Sequence, residues 1–368
     1  MEKSKLLLMT PNLHGGGAEK VMVNLLNSFD RQRIEPIFMT AELKGPYTRL
    51  LPADLEVVDL GVSRIRYVLP KLIKEINRIR PDAILSTFER LNFSLLLAKP
   101  FIPKATKIVI REVNLPSRTL TAYGAVRRKL YRQFYRRLYP LADRIVAQSD
   151  QMNREIVAYS GVRADKVTTI HNPIDVGRIA ALSETANPFA GCSGLHIVSV
   201  GRLEHQKGFD LLLRAFKQFH ERYPQSTLHI LGDGSLKDEL TQLAAELGIG
   251  EQVRIAGFQP NPYRYIRHAD LYVLSSRYEG FPNVLLEALA CRAKIVAADC
   301  DSGPRDILLK PEQGLLVEAN SADSLAAGML RAMEDPLLGS GGYARAMDYD
   351  CPRLTCLYEQ ALICESSR

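Results

Sequence analysis

Short apolar runs alternate with amphipathic segments along the whole chain. In the first half "KLLLM" leads through a glycine stretch into "AEKVMVNLLNSF", "IEPIFMT" into a loop, "LEVVDL" into "YVLPKLIKEINRIR", and "DAILST" into "LNFSLLLAK". "KIVIRE", a long basic segment, "ADRIVAQS" and "KVTTIHNPID" follow. Runs that are apolar on both faces predict strands of a parallel sheet covered by helices. Residues 183–194, "SETANPFAGCSG", lose the periodicity and gather the Ser, Asn, Pro and Gly of a linker. The alternation then restarts. "LHIVSVGRL" leads into "FDLLLRAFKQFHERY", "STLHILGDG" into "LKDELTQLAAELG" and "QVRIAGF" into "PYRYIRHA", while "LYVLSS", "AKIVAADC" and "GLLVE" supply further strands. The pattern predicts two doubly wound α/β domains, residues 1–182 and 190–348. A terminal helix in 349–368, with Pro352 near its start, is expected to cross back to the first domain.

The 368 residues are 46% apolar and 24% charged, a globular composition with no low-complexity tract or repeat period, which excludes disorder. Six cysteines (192, 291, 300, 351, 356 and 364) form no C-x-x-C pair, so reduced thiols are expected rather than zinc or disulfides. The apolar run in "MEKSKLLLMTPN" is too short for a signal segment or a membrane span, so a cytoplasmic protein is expected. Net charge is +7, unevenly spread: residues 1–180 hold 30 Lys and Arg against 17 Asp and Glu, leaving 18 against 24 for residues 181–368. That asymmetry points to a negatively charged partner of the first half.

Several loops after strands carry candidate chemistry. "TPNLHGGGAEK" places Gly15, Gly16 and Gly17 before a helix, where backbone N–H groups and the helix N-terminus can meet an anion; a tight turn would read the same. It is neither G-x-G-x-x-G nor a Walker loop. "SVGRLEHQKGFD" sets Arg202 and Lys207 in a glycine-punctuated loop, a fork and a point charge suited to a diphosphate. "LGDG" ends a strand in Gly232 and Gly234, a close backbone approach or a hairpin-like turn. In "SSRYEGFPNVLLEALA", Pro282 fits the first turn of a helix, which leaves Glu279 on the loop and puts Glu287 among leucines. A carboxylate there needs a cation or hydroxyls, and sugar hydroxyls serve.

Glu279 and Glu287 match the E-x7-E motif of the retaining glycosyltransferases of family 4, the group 1 glycosyl transferases of bacterial surface-polysaccharide pathways. "VGRLEHQKG" resembles that family's phosphate loop, "GGGAE" its N-terminal glycine loop, and "HNPID" and "DSGPRDIL" two further segments, in order along nearly the whole chain. The resemblance implies the α/β GT-B architecture, two Rossmann-like domains facing a cleft, with the acceptor on the first and a nucleotide sugar on the second. It implies that Arg202 and Lys207 hold the donor diphosphate without a metal or other cofactor, that Glu279 meets sugar hydroxyls and Glu287 the ribose, and that Gly16 and Gly17 approach the donor phosphates. Gly201, Gly232, Phe258, Gly280, Phe281, Pro282 and Asn283 complete the implied donor site. Many members carry a histidine after the strand corresponding to "KIVIREVNLPS"; here Arg111, Glu112 and Asn114 stand instead, and Arg111 or Asn114 is expected to take over its contact with the sugar.

The basic segment "AVRRKLYRQFYRRLYPLADR" reads as a helix with Val126, Leu130, Phe134 and Leu138 on one face. Arg127, Arg128, Lys129, Arg132, Arg136 and Arg137 cover the rest, with tyrosines 131, 135 and 139 between them. It suits an anionic membrane surface or a polyprenyl diphosphate, or it is a core-packed helix with a solvated basic back. Single-stranded nucleic acid is a weaker fit because no RNA-binding module accompanies it. The expected activity is transfer of a hexose or N-acetylhexosamine from a nucleotide sugar, a UDP-sugar by preference, to a polyprenyl-diphosphate-linked saccharide at the inner face of the cytoplasmic membrane. A nucleotide-sugar epimerase or hydrolase, or a non-catalytic binding protein, are the rival readings.

Overall fold

The computed structural model describes residues 3–121 and 123–363. They divide into two compact units, one running to Pro173 and resuming at Cys351, the other spanning Ile174–Asp350. The first holds seven parallel strands, β1 (Ser4–Thr10), β2 (Ile34–Thr40), β3 (Glu56–Asp59), β4 (Ala83–Thr87), β5 (Lys107–Arg111), β6 (Arg144–Ala147) and β7 (Val167–Thr169), in the order β3-β2-β1-β4-β5-β6-β7. Leu6, Leu7 and Leu8 of β1 are all buried, because successive side chains enter opposite cores. Leu7 joins Leu72, Ile76, Phe93 and Tyr135 on one face of the sheet. Leu6 and Leu8 join Val21, Leu25 and Phe38 on the other, where the helix Cys351–Ile363 adds Tyr358, Ala361 and Leu362.

The second unit holds β8 (Leu195–Val200), β9 (Ser226–Leu231), β10 (Val253–Ile255), β11 (Leu271–Leu274), β12 (Ile295–Ala298) and β13 (Leu315–Val317), again all parallel, in the order β10-β9-β8-β11-β12-β13. One core packs Ile197, Leu228 and Val273 of this sheet against Phe216, Phe219 and Met329 of its helices. Strand order reverses between β8 and β11, and a doubly wound sheet binds its ligand beyond the carboxyl ends at such a switch point.

The unit boundary lies at Pro173, not at residue 182 as the linker composition implied. The N–H of Ile174 donates to the carbonyl of Tyr349 at 2.9 Å, and the N–H of Val176 to Asp350 Oδ1 at 3.1 Å. Those bonds tie residues 174–176, and the helix Val176–Ser183 after them, to the end of the second unit. Among the described residues no helix is long and apolar enough to cross a membrane, and Cys192, Cys291, Cys300, Cys351 and Cys356 are free thiols; Cys364 lies outside the described residues.

Candidate functional site

The loops leaving β8 and β11, on either side of the switch point, are bolted together. The loop after β8 makes a short 3-10 turn, His205–Lys207, and closes on Gly208 at φ 62°, which starts the helix Phe209–Arg222. A Cβ at Gly208 would stand 2.2 Å from the carbonyl oxygen of Ser275, so glycine is what lets the second loop approach. Ser275 Oγ donates to the carbonyl of Lys207 at 2.8 Å and the Arg277 N–H to that of Gln206 at 2.8 Å. The Arg277 guanidinium forks onto Asp210 at 2.7 and 2.6 Å and reaches the carbonyl of His205 at 3.0 Å. Burial pushes the Asp210 carboxyl up, but the hydrogen bonds and charge of Arg277 outweigh it and hold the group below its ordinary range.

Glu279 sits where the two loops meet. Its Oε1 receives Lys207 Nζ at 2.6 Å and Ser276 Oγ at 2.6 Å. Gln206 Nε2 donates to the carbonyl of Tyr278 at 3.0 Å and approaches Glu279 Oε2 at 3.4 Å. The Lys207 and Glu279 side chains are 14% and 7% exposed, so the carboxylate is buried only because a cation and a hydroxyl meet it. Arg202 lies exposed on the same loop, and Gly201 is packed so closely on Lys207 that a Cβ would be 3.2 Å from its Cδ.

Neighbouring loops at the same edge of the sheet close the surroundings. Gly232, after β9, has φ 143°, and a Cβ there would stand 1.9 Å from the carbonyl oxygen of Gly201. Asp233 Oδ2 accepts the N–H of Phe258 at 2.8 Å and fixes a ring that is 47% exposed. Gly280, Phe281, Pro282 and Asn283 are buried under the turn at 301–304, where Ser302 Oγ donates to the carbonyl of Gly280 at 2.8 Å. Pro282 is the residue before the helix Asn283–Ala290, one place outside the first turn expected for it. Glu287 is buried inside that helix, near the Tyr272 hydroxyl, which burial and the charges of Glu287 and Glu279 push far up. The arrangement offers a cation for an anionic group and, touching it, a carboxylate able to accept from hydroxyls.

Residues 15–178 match the family described as Glycosyltransferase Family 4, and residues 194–348 match Glycosyl transferases group 1. The chain is 31% identical, over 91% of both chains, to the N-acetylgalactosamine-N,N'-diacetylbacillosaminyl-diphospho-undecaprenol 4-alpha-N-acetylgalactosaminyltransferase of Campylobacter jejuni. The chain belongs to the group 1 glycosyltransferases. It is also 26% identical, over 88% of both chains, to the amylovoran biosynthesis glycosyltransferase AmsD of Erwinia amylovora. A structure of Anabaena HepE in complex with UDP and glucose superposes with a TM-score of 0.80 at 19% identity, over 97% of this chain and 98% of that one. At that identity the likeness shows the fold, the expected GT-B α/β architecture.

In the first unit of this glycosyltransferase, Gly16 caps the helix Gly17–Ser28, and a Cβ there would stand 2.4 Å from Oε2 of Glu19, the movable end of that side chain. Arg111 does not offer its guanidinium to a sugar. It is fully buried, with Nε donating to the Tyr358 hydroxyl at 3.2 Å, Nη1 to Thr87 Oγ1 at 3.3 Å and Nη2 to Asn172 Oδ1 at 2.5 Å. The role expected for it is corrected to anchoring the terminal helix and the carboxyl ends of β4 and β5; Asn114, on the loop beyond, is exposed. Glu112 is also buried and accepts from the Tyr139 hydroxyl; burial first, and then the charge of Glu89, push its pKa up to about 8.

Of the expected row Val126, Leu130, Phe134 and Leu138, the second half of the helix Ala125–Leu138 packs Phe134 and Leu138 on the core beside Tyr131 and Tyr135, and the first half leaves Val126 and Leu130 outside. Tyr131, Tyr135 and Tyr139 gather round Phe93 with ring centroids 5.6, 5.4 and 5.8 Å away. Val126 and Leu130 are therefore 87% and 50% exposed, among the exposed Arg127, Arg128, Lys129, Arg132, Arg136 and Arg137. Sequence reasoning passed over Ser276, Gln206 and the Arg277–Asp210 clamp. The available signal was Ser276, a hydroxyl three residues before Glu279 on the same loop.

Proposed function

We propose that this glycosyltransferase moves a hexose or N-acetylhexosamine, with retention of anomeric configuration, from a UDP-sugar to a saccharide carried on a polyprenyl diphosphate, in surface-polysaccharide or related glycan assembly. The observation that carries the reading is the Lys207–Glu279 contact, 2.6 Å, beside Arg202 on the loops that flank the switch point. Lys207 and Arg202 take the diphosphate and neutralise it as the leaving group, without a divalent metal. Glu279 orients the sugar through its hydroxyls, Glu287 binds the ribose and Phe258 lies against the base.

The relatives support the substrate classes. The Campylobacter jejuni enzyme is named for a diphospho-undecaprenol acceptor, and HepE was solved with UDP and glucose. The exposed Val126 and Leu130 amid six basic side chains suit an anionic leaflet, here the inner face of the cytoplasmic membrane, where such an acceptor resides. Calorimetric titration with UDP, GDP and ADP, each with EDTA, tests the donor half of the reading. UDP should bind best and indifferently to EDTA, and Arg202→Ala and Lys207→Met should each weaken it about tenfold or more. Failure of every nucleoside diphosphate to bind, or binding untouched by both substitutions, would overturn it.

A further inference from the structure

We propose that the Lys207–Glu279 ion pair is a latch that the donor's diphosphate takes apart, and that Gln206 and Ser276 are positioning residues that hold Glu279 in place as it does. The inference rests on the reading that this site takes a nucleotide sugar. Lys207 Nζ and Ser276 Oγ both donate to Oε1 of Glu279, each at 2.6 Å. A compact ammonium can give its charge to a carboxylate or to a diphosphate, and each use weakens the other. An entering diphosphate therefore competes with Glu279 for Lys207.

When Lys207 turns to the diphosphate, it vacates one acceptor direction on Glu279 Oε1, and a buried carboxylate that has lost its cation needs a new donor. A sugar hydroxyl supplies one, whereas a nucleoside diphosphate without its sugar does not. Capture of the phosphates and recognition of the sugar become one exchange, and the product is held less firmly than the donor because Glu279 reclaims Lys207 once the sugar is gone. The exchange needs a carboxylate that stays where it is. Ser276 is fully buried, and Gln206 is tied to the carbonyl of Tyr278 at 3.0 Å, so both stay in place while Lys207 swings.

The test is titration of UDP, and of whichever of UDP-glucose, UDP-galactose and their N-acetylamino forms binds tightest, into the full chain and its variants, together with kcat and KM for transfer. Glu279→Gln keeps the shape and the serine bond but removes the competing charge. It should bind UDP about tenfold more tightly than wild type, while losing transfer and the preference for the sugar nucleotide over UDP. Ser276→Ala and Gln206→Met should bind UDP within about twofold of wild type but lose about tenfold in kcat and in the preference for the sugar nucleotide, with Ser276→Thr restoring most of the loss. The latch is overturned if Glu279→Gln binds UDP no more tightly than wild type, or if Ser276→Ala and Gln206→Met transfer at the wild-type rate. The second pair of variants decides the matter should Glu279→Gln fail to fold. Absence of UDP binding by the wild type would instead remove the functional reading on which the latch depends.

Discussion

Two glutamates show how far a residue's surroundings decide its role. Glu279 is paired with a lysine and a serine, so its loss is felt through Lys207 and Ser276. Glu112 is buried with a tyrosine hydroxyl as its partner, and its pKa, about 8 when folded, lies far above the 4.5 of a free glutamate. Between those values the folded chain keeps a proton that the unfolded chain has lost, so stability falls as pH rises through the window. Glu112→Gln should abolish that slope. Urea melts at pH 5 and pH 8 should show the wild type losing a few kcal/mol, and the variant much less, since each pH unit inside the window costs about 1.4 kcal/mol; parallel losses would contradict the assignment. At this scale the sequence was readable where position and residue type agree: Glu279 stood on a loop before a helix, and Lys207 and Arg202 on a loop after a strand. It was not readable for Arg111. A guanidinium after a strand looks the same whether it meets a ligand or, as here, Thr87, Asn172 and Tyr358, residues whose proximity only the folded chain creates.

Among elements, the strands were the most legible, because burial on both faces imposes continuous apolar runs that loops and helices do not share. The helix Ala125–Leu138 was legible as a helix, and of its expected apolar row Phe134 and Leu138 do pack on the core, while Val126 and Leu130 do not. Tyrosine enters a core when its ring finds partners, and Phe93 offers edge-on contacts to Tyr131 and Tyr135. The apolar Val126 and Leu130 were thereby turned outward beside the arginines. Replacing both with aspartate should leave the fold and UDP affinity unchanged but lower the partition constant onto anionic phosphatidylglycerol vesicles about a hundredfold or more, because each lost apolar anchor and each added repulsion costs about 1 kcal/mol. Equal sedimentation by wild type and variant, or no effect of salt, would assign the helix a solvated role only.

For the molecule as a whole, the charge imbalance read from the sequence is +13 before residue 181 and −6 after it, and the basic helix of the first unit supplies +6 of the former. The family assignment covers both units, with matches over 15–178 and 194–348. The most direct measurement is transfer of radiolabel from UDP-, GDP- and ADP-sugars into butanol-extractable lipid, with bacterial membranes as the acceptor source, EDTA present, and Glu279→Gln beside the wild type. Label is expected from one UDP-sugar, undiminished by EDTA and lost in the variant. Donor consumed without labelled lipid, or labelling that Glu279→Gln leaves intact, would contradict it.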